Sequence, residues 1–280
     1  GCYGCREVPC KSKPIMMRIK LFIVTVIALL MGTSCKSEFE TLLQGNDVAA
    51  KYDAAFAYFD AGKYSKAVSL FESLKLAVKG TAQDDTVQYY AGLANYRWGD
   101  IFTAEACFNT FIKTFPLSPF SDRANYYYIE CLYQQTLRYE LDQNPTYKAM
   151  DHIREYLKKH PNTEYRTNFD DMLKDLDERL DKKALEAAKI YYHTEDYKAA
   201  QYAFKNILKE DAANIYREEI LYYTALSSYK YAFNSVFEKQ KERYMVFADD
   251  YLNFISEFPD SDYKKELDNL SKKVNKILGK

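Results

Sequence analysis

The chain has 280 residues, 48% of them hydrophobic, and its 39 basic residues nearly balance its 40 acidic ones. A nucleic-acid-binding face needs a basic excess, so this balance argues against a nucleic-acid partner. Tyrosine is abundant at 27 residues, whereas Gly and Pro number only 9 and 7. Many aromatic residues and few chain breakers favour long packed helices over a sheet protein rich in tight turns.

Residues 1–15, GCYGCREVPCKSKPI, stand upstream of a sequence that has its own basic start. Their cysteines and acidic residue are unsuited to a leader peptide, so we interpret them as upstream sequence included by a misassigned start. The alternative is a small metal knuckle on Cys2, Cys5 and Cys10. For that site the sequence offers no clear fourth ligand.

A lipoprotein leader is predicted at residues 16–34. Arg18 and Lys20 precede an apolar run over 21–31, which is eleven residues long. A membrane-spanning helix needs about 20 apolar residues, whereas a secretory leader needs about 7–15. The small residues before Cys35 resemble a bacterial lipoprotein box, which implies cleavage before this cysteine and attachment of lipid to it. An ordinary secretory leader or a short anchor is the alternative.

Helical repeats follow a short polar tether. The tether covers 35–45, and residues 46–280 show helical periodicity, with small and aromatic residues recurring on either side of tight turns. The copies are YDAAFAYFDAGKYSKAVSLFESL, YYAGLANYRWGDIFTAEACFNTFIKTFP and ALEAAKIYYHTEDYKAAQYAFKNIL, with two stretched copies ending in AMDHIREYLKKHP and FADDYLNFISEFP. They resemble tetratricopeptide repeats, in which small residues let paired helices approach. The sequence therefore predicts an all-α fold, an α-solenoid of about five tetratricopeptide-like helix pairs in one domain.

A shared motif follows three of the second helices. PLSPF at Pro116, PNTEY at Pro161 and PDSDY at Pro259 each read Pro, any residue, Ser or Thr, any residue, aromatic. A weaker echo, AANIY, ends at Tyr216. Proline ends a helix, and Ser or Thr can help to cap the next one. The motif therefore predicts where one helix pair gives way to the next.

Motifs of catalysis are missing from the sequence. It contains no phosphate-binding glycine loop, nucleophile elbow or zinc-protease helix motif. His193 lies beside Glu195 and Asp196, and we interpret this group as an exposed turn rather than a general-base cluster. We interpret Cys107 and Cys131 as small buried residues, with a disulfide as the alternative in an oxidising compartment. We therefore expect no enzymatic activity, no metal and no cofactor.

Aromatic residues on the first helices of the first two pairs predict a peptide-binding groove. Aromatic side chains give contact area at low entropic cost, and an arginine can bind a carboxylate through two hydrogen bonds. Ordinary packing between helices is the alternative. The predicted groove residues are Tyr52, Phe56, Phe59, Tyr89, Leu93, Tyr96 and Arg97.

The leader, the tether and the stretched repeats together resemble the BamD family of outer-membrane assembly lipoproteins. The likeness is carried by FPLSPFSDRANYYYIECLY, by HPNTEY with MLKDLDERLDKKALEAAKIYYHTEDYKAAQYAFKNIL, and by EFPDSDY. The resemblance implies a non-enzymatic scaffold, lipid-anchored at the periplasmic face of the outer membrane. It also implies binding to a BamA-like β-barrel assembly subunit and to nascent outer-membrane β-barrel proteins.

The resemblance also implies where these partners bind. Precursors would contact the predicted groove, and the BamA-like subunit would contact the fourth and fifth helix pairs, including Arg217, Glu218 and Glu219. An alternative of a different class is an envelope scaffold that coordinates peptidoglycan synthesis or cell division. A glycan-binding uptake lipoprotein would need a large inserted ligand region, which this sequence lacks.

Overall fold

The computed structural model describes residues 38–279, and this part of the chain is built from α-helices without a strand. The predictions that fall on residues 1–37, Cys35 among them, lie outside the described residues. The predicted all-α solenoid of tetratricopeptide-like helix pairs is confirmed. The helices are α1 Glu38–Gln44, α2 Val48–Asp60, α3 Tyr64–Leu74, α4 Asp84–Trp98, α5 Ile101–Thr114, α6 Ser121–Gln134, α7 Asn144–Lys159, α8 Arg166–His193, α9 Tyr197–Glu210, α10 Arg217–Phe233, α11 Phe237–Glu257 and α12 Lys264–Leu278.

The chain divides into two compact units, and the boundary lies inside α5. Unit 1 ends at Cys107 and unit 2 begins at Phe108. In unit 1, α2 packs on α3 and α3 packs on α4. In unit 2, each helix from α8 to α11 packs on the next, and α12 packs on α11. Since the boundary falls within a helix, no Pro- or Gly-rich linker marks it in the sequence.

Small residues lie where the helices of a pair approach each other. The alanines at equivalent positions of the first four pairs, Ala67, Ala104, Ala149 and Ala200, are fully buried, and Ala248 of the fifth is half-buried. A larger side chain at these sites would push the helices apart. The repeat spacing seen in the sequence therefore marks the inner faces of the helix pairs.

The segment predicted as a tether contains helix α1, which packs on the first helix pair. Phe39 meets the ring of Tyr58 edge-on, with centroids 5.5 Å apart. The ammonium of Lys66 lies 5.1 Å from the centroid of the Phe39 ring. Leu42 and Leu43 also lie against the core of unit 1. Apolar residues three and four positions apart give this short helix one buried face, so most of the tether is docked.

The later pairs are longer because their helices are longer. α8 has 28 residues and joins the charged segment to the first helix of the fourth pair, and α11 has 21 residues. Ion pairs between residues four positions apart occur along α8, such as Arg166 with Asp170 at 2.9 Å and Lys182 with Glu186 at 2.9 Å. Each such pair supports a helix by roughly 0.2–0.5 kcal/mol.

The recurring motif forms the same turn before four helices. In each copy the Ser, Thr or Asn side chain accepts a hydrogen bond from the backbone N–H of the aromatic residue two positions later. That aromatic residue is the N-cap of the following helix, and its own side chain makes no capping bond. The motif therefore fixes the turn before the helix rather than the first helical N–H groups. The acceptors are Ser118, Thr163, Asn214 and Ser261, at 3.2, 3.3, 3.0 and 3.1 Å.

Candidate functional site

Three of the predicted groove residues form an aromatic cluster with helix α4. The ring of Phe56 lies 4.8 Å from that of Tyr90, and the ring of Phe59 lies 5.4 Å from it. Tyr52 lies 4.9 Å from Phe56, which also meets Phe71 edge-on at 5.2 Å. The three residues are half-buried. They therefore hold α2 against α3 and α4 while keeping part of their surface in water.

Two other predicted groove residues are packing residues, which corrects the sequence-based prediction. Tyr89 is fully buried and Leu93 is 6% exposed, so neither offers a surface to a peptide. Leu93 lies in a run of five successive buried residues of α4, 91–95, and Tyr89 lies two positions before that run. A helix that is covered on several sides has no single apolar stripe, so periodicity could not separate its groove face from its core.

The remaining groove residues lie near the end of α4. Tyr96 is half-buried and Arg97 is exposed. At the other end of the cluster, burial raises the pKa of Tyr52, and the neighbouring Tyr90, Asp53 and Asp85 raise it further. Tyr52 therefore stays protonated and can donate a hydrogen bond at any physiological pH. This face can offer aromatic contact area, one hydroxyl donor and one guanidinium.

The predicted partner surface in unit 2 is largely engaged within the chain. The Nε and Nη2 atoms of Arg217 bind the two carboxylate oxygens of Glu257 at 2.6 and 2.8 Å. Glu219 pairs with Lys189 of α8. Arg217 and Glu219 therefore link α10 to α11 and to α8, while Glu218 is half-exposed. Their partners are distant in the sequence, so only the fold reveals the pairs.

An apolar turn that the sequence analysis missed lies between α10 and α11. Phe233, Val236 and Phe237 are 58%, 67% and 85% exposed. On one side of this turn, the guanidinium of Arg243 stacks on the ring of Tyr231, 4.1 Å from its centroid. Three exposed apolar residues so close together are unusual at a hairpin turn, where polar residues normally lie. The signal in the sequence was the apolar content of AFNSVF around its turn residues.

Two of the clefts in unit 2 are lined in part by ionisable side chains. One, of about 740 Å³, lies along α8 and is lined by Asp177, Asp181 and Asp211 among others. Burial raises the pKa of Asp177 and of Asp181, and the charge of Asp211 adds to both shifts. The other, of about 690 Å³, is lined by residues such as His152 and His160. Between residues 38 and 279 no group of three or more His, Cys, Asp or Glu residues could hold a metal ion.

The structure places Cys107 on α5, Cys131 on α6 and His193 on α8. Cys131 is buried and Cys107 is half-buried, and no disulfide joins them, so the alternative of a disulfide between them is wrong. Burial raises the pKa of Cys107, although the ammonium of Lys75, 3.9 Å from its sulfur, acts in the opposite direction. His193 is exposed at the end of α8, just before Glu195 adopts a φ of 64°. His193 is therefore exposed, as predicted, but it is the last residue of a helix and the turn begins after it.

The length and apolar content of the described helices decide whether any of them could span a membrane. None of the helices between residues 38 and 279 is both long enough and apolar enough to cross a bilayer. Their ordered pairs define an all-α protein of the tetratricopeptide-like repeat class, in which extended surfaces serve recognition.

Comparison with known proteins identifies the family. The model of the YfiO family, described as outer membrane lipoprotein, matches residues 45–241, and the chain belongs to this family. The chain is 22% identical over 205 residues to the outer membrane protein assembly factor BamD of Caulobacter vibrioides, a match that covers 73% of this chain and 67% of that protein. The resemblance to the BamD family is thereby confirmed.

Among solved structures, the chain matches a thermophilic TPR protein of Thermus thermophilus. It is 15% identical, and the match covers 80% of this chain and 98% of that one with a TM-score of 0.32.

Proposed function

We propose that this protein is a non-enzymatic scaffold for the assembly of β-barrel proteins in the outer membrane. The observation that carries the proposal is the family match, which runs from residue 45 to residue 241 and so spans α2 to α10. The name of the relative from Caulobacter vibrioides, an assembly factor, supports the same role. Lipid on Cys35 would anchor the chain at the periplasmic face of that membrane.

The BamA-like subunit would bind the fourth and fifth helix pairs. We keep Glu218 in this surface and add Phe233 and Phe237, because aromatic side chains are enriched at protein interfaces. Arg217 and Glu219 would act indirectly in this surface, by holding α10 against its neighbours. The proposed surface therefore lies on the same helix pairs as the sequence predicted, but Phe233 and Phe237 replace Arg217 and Glu219 as its central residues.

Unfolded barrel precursors would bind the exposed part of the aromatic face in unit 1. Extended segments of such precursors alternate apolar and polar side chains. The half-buried rings of Tyr52, Phe56, Phe59 and Tyr96 offer contact area for the apolar ones. Arg97 can pair with an acidic side chain or a carboxylate of the same segment.

Depletion of the protein tests the role as a whole. We expect the levels of outer-membrane β-barrel proteins to fall, and we expect a pull-down to recover the BamA-like subunit. Normal barrel levels without such a partner would remove the proposal. Recovery of cell-wall synthases instead would favour the envelope scaffold that coordinates peptidoglycan synthesis or cell division.

Point variants test the two surfaces separately. Phe233→Ser combined with Phe237→Ser should abolish recovery of the BamA-like subunit. Tyr202→Ser removes an equally exposed aromatic ring from α9, 70% exposed, and should leave recovery unchanged. Arg97→Glu should weaken binding of peptides copied from barrel strands, measured by fluorescence anisotropy. Arg138→Glu makes the same charge change at another exposed site and is its control.

A further inference from the structure

We propose that the turn between α4 and α5 lies in the lipid interface of the membrane to which the chain is anchored. This turn exposes two large aromatic side chains, Trp98 at 55% and Phe102 at 75%. Trp and Phe side chains favour the boundary between lipid headgroups and acyl chains. The inference rests on the proposed lipid attachment to Cys35 and on none of the proposed protein partners.

The turn presents these rings on a fixed backbone. Gly99 has a φ of 93°, and its N–H donates to the carbonyl oxygens of Asn95 and Tyr96 at 3.0 and 3.1 Å. The carboxylate of Asp100 accepts hydrogen bonds from the backbone N–H and the hydroxyl of Thr103 at 3.0 and 2.7 Å. The acidic residue of the turn is thus used within the protein. A turn held in this way loses little conformational freedom when it enters an interface.

Helix α1, which follows Cys35 in the sequence, contacts unit 1 at a defined place. Phe39, in the first turn of α1, contacts Tyr58 near the end of α2 and Lys66 near the start of α3. α1 therefore begins at the end of unit 1 where the turn between α2 and α3 lies. Cys35 is four positions before Phe39, a stretch that spans at most about 14 Å. A lipid on this cysteine would hold that end of unit 1 against the membrane.

The turn with Trp98 lies at the same end of unit 1. α3 runs back from the turn after α2, and α4 begins close to the end of α3, where the N–H of Gly80 donates to the carboxylate of Asp84 at 2.7 Å. Near the end of α2, Phe59 contacts Tyr90 of α4, at 5.4 Å. α4 therefore runs in the same direction as α2, and Trp98 lies about 12 Å beyond Tyr90 along its axis at 1.5 Å per residue. Both turns and the start of α1 share one end of the unit.

The charges at this end of unit 1 are compatible with contact to a lipid surface, but they contribute less to that contact than the apolar side chains do. Lys63 is exposed in the turn between α2 and α3, and Asp60 beside it is also exposed. Lysine near the interface attracts anionic headgroups, but the acidic neighbour offsets part of this attraction. Insertion of the rings of Trp98 and Phe102 therefore contributes more than charge. The short reach from Cys35 makes lipid the favoured occupant over a protein.

Tryptophan fluorescence tests the inference directly, because Trp98 is the only tryptophan in the chain. The mature lipoprotein is reconstituted into vesicles of phosphatidylethanolamine and phosphatidylglycerol, with or without brominated acyl chains, which quench tryptophan on contact. Interfacial groups lie about 5–10 Å into the boundary, so we expect brominated lipid to reduce the emission about twofold. We also expect the vesicles to protect Trp98 from quenching by acrylamide.

Two variants supply the controls. Trp98→Phe combined with Leu76→Trp moves the single tryptophan to a site just after α3, at the opposite end of unit 1, where Leu76 is 84% exposed. Brominated lipid should leave its emission unchanged, and acrylamide should quench it fully. Phe102→Ser, with Trp98 in place, should weaken the quenching by lipid. If brominated lipid quenches tryptophan at 98 and at 76 equally, or quenches neither, the inference is overturned.

The mass of the N-terminal peptide from the same sample separates the possible failures. An acylated Cys35 together with a Trp98 that stays open to acrylamide would overturn the membrane contact alone. A Cys35 without lipid would overturn the anchor and, with it, this inference. Neither result would alter the expected pull-down of the BamA-like subunit, so the proposed partners are tested independently.

Discussion

The two units use the same tyrosine-rich composition to build different helix interfaces. In unit 1, Phe56 and Phe59 hold α2 against α4 through ring contacts with Tyr90. In unit 2, tyrosine hydroxyls also donate to carboxylates of α12, from Tyr222 of α10 to Glu266 at 2.7 Å and from Tyr251 of α11 to Asp268 at 2.8 Å. A tyrosine that finds such a partner contributes both packing and a directional link, which fixes the register of the two helices.

Unit 2 extends this difference to a buried polar network. The carboxylate of Asp250, 5% exposed on α11, pairs with Lys205 of α9 at 2.7 Å. The same carboxylate accepts hydrogen bonds from Ser228 and, at 3.1 Å, from Gln201. Three successive helices therefore meet at one acidic group. Such a network is stabilising only while every member is satisfied, so the stability of unit 2 should depend on the single polar residues that form it.

The largest effect is expected in the ring-packed core of unit 1. Phe71 is fully buried against Phe56 and Tyr90, so Phe71→Ala should lower the free energy of unfolding by about 3–5 kcal/mol through lost burial and a cavity. Urea unfolding followed by Trp98 fluorescence measures this in unit 1. Leu76→Ala, at an exposed site, should change it by less than about 0.5 kcal/mol. Similar values for the two variants would contradict the dependence on ring packing.

The next effect concerns the polar network of unit 2. Asp250→Ala should cost about 1.5–3 kcal/mol, because it removes charged hydrogen bonds from a buried site. Lys205→Met should cost only about 0–1 kcal/mol, because the lysine side chain is half-exposed and its loss leaves Asp250 with its other donors. Circular dichroism during urea unfolding measures both. A lysine variant as damaging as the aspartate variant would show that the ion pair, rather than the network, dominates.

A smaller effect compares tyrosines with and without a carboxylate partner. Tyr222→Phe removes the hydrogen bond to Glu266 and should cost about 1 kcal/mol. Tyr64, whose ring packs on Phe59 at 5.5 Å, is the matched residue in unit 1, and Tyr64→Phe should be nearly neutral. Thermal unfolding of the two variants provides the measurement. Equal shifts in the melting temperature would remove the distinction between the two kinds of interface.

The smallest effect on the free energy of unfolding is expected for Tyr251, and it should appear only at alkaline pH. Burial, together with the hydrogen bond to Asp268, raises the pKa of Tyr251 to about 12, above its unfolded value of about 10. The stabilisation is therefore complete below about pH 10 and is lost as the pH rises toward 12, because the unfolded chain gives up its proton first. Tyr251→Phe should make the fall in unfolding free energy between these values less steep. An unchanged slope would contradict a protonated native Tyr251.

Local sequence patterns predicted most of the helices. Which residues are available at a site depends on contacts between residues that are far apart in the sequence, and local patterns do not show these contacts. The alanines at repeat positions and the turns at Gly62 and Gly99 follow from helix approach and from a positive φ, both of which are local requirements. Arg217 gave no local sign of its pair with Glu257, since the two residues meet only after α10 and α11 pack. Tyr89 was wrongly assigned to the groove for the same reason, because neighbouring elements decide which faces of α4 are buried.

The long helix α8 limits how this sequence can vary. It runs without a break through the charged segment into the fourth pair, and each residue of an α-helix turns the chain by about 100°. Deleting one residue near its middle would therefore rotate every later side chain of α8 away from its partner on α9 or α10. Among natural homologues, this helix should accept substitutions freely on its exposed side while insertions and deletions collect in the turns.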